Sequence, residues 1–295
     1  MKNKVIDKKF GLTDQGIKDF RKNGFAGPFT LYDPEEMNEI RKNLRYKLLD
    51  RSNSAYKLDN AISEINNIAN YDRHLDVPFL KEHVQRPEIV DKLTDVLGDN
   101  VICWRSEWFP KYPGDVGTAW HQVDTFEFSS GEPLLIWPQK EDFGGTITVW
   151  TALTDTTIDK ACLKFIPGTH EEMFYNESKG VKYDSKTVND GFFGYDYKNL
   201  QKDPDWLPDE SQAVSMEMKA GQFIVFWSTL MHASHPHLGK TNDFRLGFVS
   251  RYVPDAVTIY PGAPKELNEF GGSVSLDRYR AVVVAGENTN PNNKV

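Results

Sequence analysis

The chain has 295 residues, 39% of them hydrophobic, so it can bury a substantial core. Its formal net charge is -8 at pH 7, and its isoelectric point is near 5.4. This balance argues against a nucleic-acid-binding protein, because displacing counterions from phosphates requires a basic face. Small molecules or proteins are therefore the expected partners.

The cysteines and the N-terminal segment bear on localisation. The chain has two cysteines, Cys103 and Cys162, and its first residues, MKNKVIDKKF, lack the apolar core of a signal peptide. No run approaches the roughly 18 apolar residues of a membrane span. These features predict a cytoplasmic protein with reduced thiols and no membrane association.

The first hundred residues are predicted to be helical. Thr13 can cap a short helix that ends at Gly24, and Asp33 can cap a longer amphipathic helix. A third apolar stripe at helical spacing begins after Pro87 and stops at Gly98. Because such stripes usually pack against a core, we expect these helices to form a scaffold.

From about residue 100 the sequence changes to short segments rich in β-branched and aromatic residues, separated by turn residues. The clearest predicted strands are 101–109, 117–128, 146–151, 222–232 and 245–253. We predict a mainly β fold with flanking helices: an eight-stranded double-stranded β-helix (jelly roll, cupin-like) with a helical N-terminal part. One domain is expected over residues 1–295, with its jelly-roll core at about 101–262.

Two polar segments have no predicted regular structure. Residues 171–212 surround the aromatic and glycine-rich stretch GFFGY, and they fit either an active-site lid or a surface excursion. The tail after about Gly286 reads ENTNPNNKV and is predicted to be flexible.

A histidine cluster follows the apolar segment 223–227. His232, His235 and His237 lie in the sequence MHASHPH, where a strand end beside a turn could place an imidazole on a metal. The cluster alone is weak evidence, since most such histidines are structural or exposed.

The segment AWHQVDTF supplies a second candidate ligand, His121. A facial triad of two histidines and one carboxylate needs the acid two residues later, because alternate strand residues share a face. That position holds Val123. Asp124, one residue further, would face away on a regular strand, and only a bulge could redirect it.

Two arginines form the third element. Arg245 and Arg251 are six residues apart and share a face of one predicted strand, as Thr148 and Trp150 do on another. A planar guanidinium inside a barrel suits bidentate binding of a carboxylate such as that of 2-oxoglutarate. The alternative is surface ion pairs. Gly247 favours the close approach of some other group.

In these regions the sequence resembles the phytanoyl-CoA dioxygenase-like superfamily, and most closely its carrier-protein-dependent non-heme iron aliphatic halogenases of the syringomycin biosynthesis type. The matching stretches, in order, are FPKYPGDVGTAWHQ, FGGTITVWTALTD, CLKFIPGTH, GFFGYDY, AGQFIVFWSTLMHASHPH and RLGFVSRYVP. They span roughly residues 104–262.

The resemblance implies a role for each candidate residue. His121 and His232 would bind iron(II), whereas His235 and His237 would not. The 2-oxoglutarate carboxylate would be held by Arg245, Thr148 and Trp150. Arg251 would lie near the halide, and Phe193 would help to wall the pocket.

The resemblance also explains the missing carboxylate. Removal of one negative ligand leaves a coordination position and a charge deficit that chloride can fill, and the halide is then transferred to an unactivated carbon. The implied cofactors are Fe(II), 2-oxoglutarate and chloride, with dioxygen as co-substrate. The implied partner is a peptidyl carrier protein loaded with an aliphatic aminoacyl group, as in nonribosomal peptide biosynthesis.

Two residues depart from the halogenase pattern. Val123 replaces Ala or Gly in the space where chloride would bind, and Phe128 replaces a polar side chain near the halide. A buried anion needs hydrogen-bond donors, so both changes bear on chloride binding. Two alternatives therefore stay open: a hydroxylase on the same scaffold, or a non-catalytic descendant with a binding role.

Overall fold

The computed structural model describes residues 8–56, 71–138, 145–187, 192–240, 243–269 and 272–295. Its α-helices are α1 Asp14–Asn23, α2 Pro34–Leu49, α3 Pro78–His83 and α4 Pro87–Leu97. None of the helices in these ranges is long and apolar enough to cross a membrane.

The predicted helix boundaries in the N-terminal part are confirmed by their caps. The Thr13 side chain accepts a hydrogen bond from the Gly16 amide, and the Asp33 carboxylate accepts one from the Glu36 amide. Gly24 ends α1 in the left-handed conformation, with φ at 85°, and its N–H donates to the Phe20 carbonyl.

The strands lie mainly beyond residue 100. In chain order they are β1 Phe25–Thr30, β2 Val101–Lys111, β3 Leu135–Ile136, β4 Ile147–Ala152, β5 Leu163–Phe165, β6 Val214–Met216, β7 Gln222–Trp227, β8 His232–Ser234, β9 Arg245–Pro254, β10 Thr258–Ile259, β11 Glu266–Glu269, β12 Gly272–Ser275 and β13 Val282–Ala285.

Two antiparallel sheets organise the molecule. The larger has the order β1-β7-β4-β9-β2-β13, and the smaller has the order β6-β5-β8. Helix α4 packs against β2, β9 and β13 on one face of the larger sheet. A cavity is lined by residues of β2, β4 and β9 together with residues of β5 and β8. This mainly β, antiparallel arrangement is consistent with a cupin-like β-sandwich, and the eight-stranded jelly-roll order stays a prediction.

Strand β9 shows how the sheet separates core from cavity. Phe248 and Tyr252 belong to the hydrophobic core, and the Tyr252 hydroxyl donates to the Val84 carbonyl at the end of α3. The alternate residues Arg245, Val249 and Arg251 line the cavity. Because alternate residues of a strand face opposite sides, the two aromatic rings pack toward the helices and the two arginines face the cavity.

Three sequence-based predictions of local structure were wrong. Residues 117–128 are not a strand: they pair with β8 only at Thr118 and His121, and then enter a short 3-10 helix after Phe126, whose φ is 62°. The segment 222–232 is interrupted at 228–231. Strand β1 was missed because Gly27 and Pro28 give it low β propensity; Pro is tolerated because β1 is at the edge of the sheet.

The C-terminal tail also differs from its prediction. The amide of Thr289 donates to the Asp255 carboxylate at 2.8 Å, and the Asn293 side chain donates to the Asp255 and Val257 carbonyls. Asn293 is buried. Asparagine side chains supply donors and acceptors in place of apolar contacts, so a polar tail can still be held in one position.

Candidate metal centre

His121 and His232 are brought together by backbone pairing. Each donates its N–H to the carbonyl of the other, at 3.0 and 3.1 Å, and their ring centroids are 3.9 Å apart. Both rings line the cavity. The strand end and the adjacent loop therefore present two imidazoles at the same place on the cavity wall.

The orientation of both rings suits metal binding. In each case Nδ1 lies 2.7 Å from the carbonyl oxygen two residues earlier, Ala119 or Leu230. A carbonyl can only accept, so Nδ1 carries the hydrogen and Nε2 keeps a lone pair. Burial lowers the pKa of His232 to about 4 and holds that of His121 well below its usual value. Both imidazoles are neutral at neutral pH and fit an iron(II) ion.

The other histidines are bonded differently. Both ring nitrogens of buried His83 face hydroxyls, those of Tyr32 and Thr151. His235 bonds the Ser215 hydroxyl, and His237 accepts from the Gly239 amide. Neither His235 nor His237 lines the cavity.

Val123 and Asp124 lie on opposite sides of the loop. Val123 is buried, lines the cavity, and donates its N–H to the Ser228 carbonyl at 2.9 Å. Asp124 is not part of the cavity lining, and its N–H donates to the Glu177 carboxylate at 2.8 Å. Within the described ranges, no group of three or more His, Cys, Asp or Glu side chains is arranged to hold a metal. No bulge brings Asp124 to the histidines.

Arg245 forms one end of the cavity lining. Its side chain is buried, and its two terminal nitrogens donate to the Ala161 and Phe109 carbonyls at 2.9 and 3.2 Å. Its Nε has no hydrogen-bond partner, and among the described residues it pairs with no carboxylate. Burial lowers its pKa to about 10, so it remains charged. A buried cation without a counter-charge is an anion-binding group.

Trp150 supports this guanidinium from one side. The Arg245 guanidinium carbon lies 5.3 Å from the centroid of the Trp150 ring. A Cβ added to Gly247 would lie 2.0 Å from the same indole. The close approach predicted for Gly247 is therefore that of Trp150.

Arg251 differs from Arg245 in having an acidic partner. Its Nη2 donates to Glu107 Oε2 at 2.9 Å, and its Nη1 donates to the Thr148 hydroxyl at 3.2 Å. Thr148 therefore adjoins Arg251 directly, while its own hydroxyl hydrogen can still be donated to a bound anion.

Arg105, Glu107 and Glu269 also line the cavity. The Arg105 Nη1 atom lies 3.2 Å from Glu269 Oε1 and 3.5 Å from Glu107 Oε1. Sequence reasoning missed these three residues. The sequence held a signal for two of them, because Arg105 and Glu107 are charged residues at alternate positions of a mostly apolar strand. Glu269 lies on the β11–β12 hairpin, and no pattern in the sequence connected that hairpin with the cavity.

Aromatic rings complete the wall. Phe193 lines the cavity as expected, with its ring 5.3 Å from that of Phe109. Phe192, which was not singled out, lies closer to the metal centre, at 4.4 Å from the His121 ring. Phe128 is buried against Phe192 at 5.5 Å and also faces the cavity. Part of the segment 171–212 is therefore cavity wall.

A family model described as phytanoyl-CoA dioxygenase (PhyH) matches residues 20–246 of the chain. The chain belongs to this family. Its Fe(II)- and 2-oxoglutarate-dependent oxygenase chemistry agrees with the neutral histidine pair and the unpaired arginine. A search of curated proteins found no match.

Solved structures are similar to this phytanoyl-CoA dioxygenase family member over nearly its full length. CytC3 is 41% identical over 97% of this chain and 93% of its own, with a TM-score of 0.75. The structure of CytC3 with Fe(II) and alpha-ketoglutarate is 38% identical over the same shares, with a TM-score of 0.74. The non-heme monooxygenase ThoJ in its nickel complex is 21% identical over 92% of this chain and 84% of its own, with a TM-score of 0.62. That last likeness concerns the fold alone.

Proposed function

We propose that this protein is an Fe(II)- and 2-oxoglutarate-dependent halogenase. It chlorinates an unactivated aliphatic carbon of an aminoacyl group that is tethered to a peptidyl carrier protein. The observation that carries the proposal is the pair of neutral, cavity-facing imidazoles with Val123 in place of a carboxylate.

His121 and His232 would hold the iron(II) through Nε2. Their Nδ1–H groups are fixed on the Ala119 and Leu230 carbonyls, which sets the ring orientation before the metal arrives. Iron(II) with 2-oxoglutarate activates dioxygen for cleavage of a C–H bond. The protein's part is to orient these groups and to exclude water.

Arg245 would bind the carboxylate of 2-oxoglutarate. Its terminal nitrogens are fixed by two backbone carbonyls, and its face packs on Trp150, so the guanidinium has little freedom to lose on binding. Binding of an anion also supplies the counter-charge that this buried cation lacks.

The halide would occupy the space beside Val123. Ser228 lines the cavity, its hydroxyl accepts from the Thr146 amide at 3.1 Å, and its carbonyl accepts from the Val123 amide, so Ser228 and Val123 are adjacent. Arg251 lines the same cavity and supplies positive charge. Thr148, which the resemblance assigned to 2-oxoglutarate, accepts from Arg251 and would supply a hydroxyl donor to the halide instead. These donors stabilise a buried anion, whereas Phe128 contributes none.

Val123 and Phe128 also favour a second candidate, a hydroxylase on the same scaffold. Both apolar side chains are buried and reach the cavity, so they reduce the volume and polarity of the halide space. The non-catalytic alternative has less support, because the buried Arg245 Nε, which has no hydrogen-bond partner among the described residues, is costly to maintain without a ligand.

Product mass tests the proposal. The enzyme is incubated with iron(II), 2-oxoglutarate, dioxygen and carrier protein loaded with each of several aliphatic amino acids, with chloride present or rigorously excluded. The expected product has the mass and isotope pattern of one chlorine-for-hydrogen exchange, and it disappears without chloride. Addition of one oxygen atom irrespective of chloride would identify the hydroxylase instead.

A further inference from the structure

Glu269 lines the cavity, and one of its buried carboxylate oxygens has no hydrogen-bond partner among the residues that the structure describes. Its residue is 3% exposed, and its Oε1 accepts from Arg105 Nη1 at 3.2 Å. Its Oε2 is buried and has no hydrogen-bond partner. A buried acceptor left in this state destabilises the protein unless another molecule supplies a donor.

The neighbouring polar groups are directed elsewhere. Arg105 Nη2 donates to the Tyr260 hydroxyl at 3.1 Å, and Arg251 Nη2 donates to Glu107 at 2.9 Å. The Nε atoms of Arg105 and Arg251 lack hydrogen-bond partners, but both guanidinium groups lie over the Phe126 ring, at 5.8 and 5.0 Å. Among the described residues no donor reaches Glu269 Oε2, so a molecule that enters the cavity can supply one.

The surroundings favour a cationic donor. The Trp108 ring lines the same cavity as Glu269, whereas the Tyr71 and Phe126 rings already face arginine side chains. Aromatic faces attract cations, and a carboxylate attracts them more strongly. An ammonium group brings both a positive charge and several N–H donors, whereas a hydroxyl brings one neutral donor.

We propose that Glu269 binds the ammonium group of the substrate's amino acid and so selects aminoacyl over plain acyl substrates. This inference rests on the proposed function, in which the substrate is an aminoacyl group, and it names the residue that recognises it. Burial raises the pKa of Glu269, and Arg105 only partly offsets this rise. A bound ammonium would stabilise the ionised form.

The ammonium group could belong to a carrier-bound thioester or to a free amino acid. A free amino acid would also bring a carboxylate, which the unpartnered Nε atoms of Arg105 and Arg251 could bind, whereas a thioester would not. The test therefore includes both sources.

Binding is measured anaerobically on the enzyme with iron(II) and 2-oxoglutarate, so no turnover is needed. Two matched pairs are compared: carrier protein loaded with 2-aminobutyryl or butyryl groups, and free 2-aminobutyrate or butyrate. The variants are Glu269→Gln, which keeps an oxygen acceptor for Arg105 but loses the charge, and Glu269→Asp, which keeps the charge on a shorter side chain. Glu266→Gln, at an exposed glutamate of the same strand, is the control.

The wild-type protein should bind the amine-bearing member of at least one pair about tenfold or more tightly, equivalent to ~1.4 kcal/mol. Glu269→Gln should abolish the preference, Glu269→Asp should weaken it, and Glu266→Gln should retain it. The pair that shows the preference identifies the source. If the Glu269→Gln variant does not fold, the binding preference of the Glu269→Asp variant decides the test.

A wild-type protein without the preference would overturn the inference, as would a folded Glu269→Gln variant that retains it. An unaltered preference in Glu269→Asp, where only that variant folds, would do the same. Failure of the proposed halogenase is seen separately, in the mass of the product, because binding without turnover does not depend on which atom is transferred.

Discussion

Arg245 and Arg251 are carried by the same strand and line the same cavity, yet their surroundings differ. Arg251 is paired with Glu107, which also lies near Arg105, and Arg105 is paired with Glu269. Arg245 has two carbonyls, a tryptophan face and, in the part of the chain that the structure describes, no carboxylate.

The difference separates a positive charge that a carboxylate of the protein balances from one that is left for a ligand to balance. Two arginines and two glutamates at the Arg251 end neutralise each other, and among the described residues Glu269 Oε2 and the Nε atoms of Arg105 and Arg251 have no hydrogen-bond partner. The Arg245 guanidinium has no carboxylate partner among the described residues. We therefore expect an anionic cofactor at the Arg245 end and a cationic substrate group at the other.

The largest effect is expected at the histidine pair, on which binding at both ends of the cavity depends. His121→Ala or His232→Ala should abolish iron binding, because each removes one of two imidazole ligands. His237→Ala should leave iron content nearly unchanged, since His237 does not line the cavity. Metal analysis of the purified variants checks this, and equal loss in all three would show that the second ligand is misassigned.

Arg245→Gln directly tests the difference in carboxylate pairing between Arg245 and Arg251. Loss of charge-assisted hydrogen bonds should raise the 2-oxoglutarate concentration needed for half-saturation by about 10- to 100-fold. Arg251→Gln should raise it by no more than a few-fold, because that arginine already has an internal carboxylate. Titration of 2-oxoglutarate into the anaerobic iron complex measures both, and similar values for the two variants would contradict the comparison.

Gly247→Ala should have a smaller effect at the Arg245 end. The new methyl group would overlap the Trp150 indole, so the ring must shift and its packing against Arg245 must change. Overpacking of this kind costs about 1–3 kcal/mol of stability. We expect a lower melting temperature and weaker 2-oxoglutarate binding than in the wild type. An unchanged affinity would show that the Trp150 contact does not support the arginine.

Glu177→Gln should have the smallest effect on ligand binding, and it should be visible instead as a change in the pH dependence of stability. Glu177 holds the Asp124 and Thr125 amides of the loop that carries His121 and Val123. Burial raises its pKa from the usual 4.5 to about 8. The folded state therefore binds this proton more tightly than the unfolded state, and Glu177 lowers stability progressively as the pH rises from about 4.5 to about 8.

The measurement is the melting temperature of both proteins at pH 5 and pH 8. The wild type should lose more stability over this interval than the Gln variant. Parallel losses would mean that Glu177 is already ionised at pH 5, through the two amides that it accepts.

Sequence reasoning found α1, α2 and α4 because each rests on a local signal, such as a cap or a period, but it missed α3. The choice of His121 and His232 rested on the resemblance to the halogenases. The chain path between His121 and Phe128 was not predictable in the same way. There the backbone is not a strand, and the Gln122 side-chain nitrogen lies within 2.9 Å of the Thr169, Glu172 and Thr229 carbonyl oxygens, which are distant in sequence. Glu269 and Phe192 reach the cavity through similar long-range packing.

The partners of the arginines also depended on tertiary structure. Alternation placed Arg245 and Arg251 on one face, and that was confirmed. Alternation could not show that Arg251 would pair with Glu107, or that Arg245 would pair with no carboxylate of the described residues. Glu107 lies on a different strand, and the register between the two strands was not readable from the sequence.

Chloride binding to the metal centre tests the account most directly. The anaerobic complex with iron(II) and 2-oxoglutarate is titrated with chloride and followed by its visible absorption, in the wild type and in Val123→Ala. A saturable spectral shift in the wild type, with tighter binding in the variant, is the result we predict. A shift in Val123→Ala alone would mean that the valine side chain closes the halide space, and it would contradict the halogenase assignment.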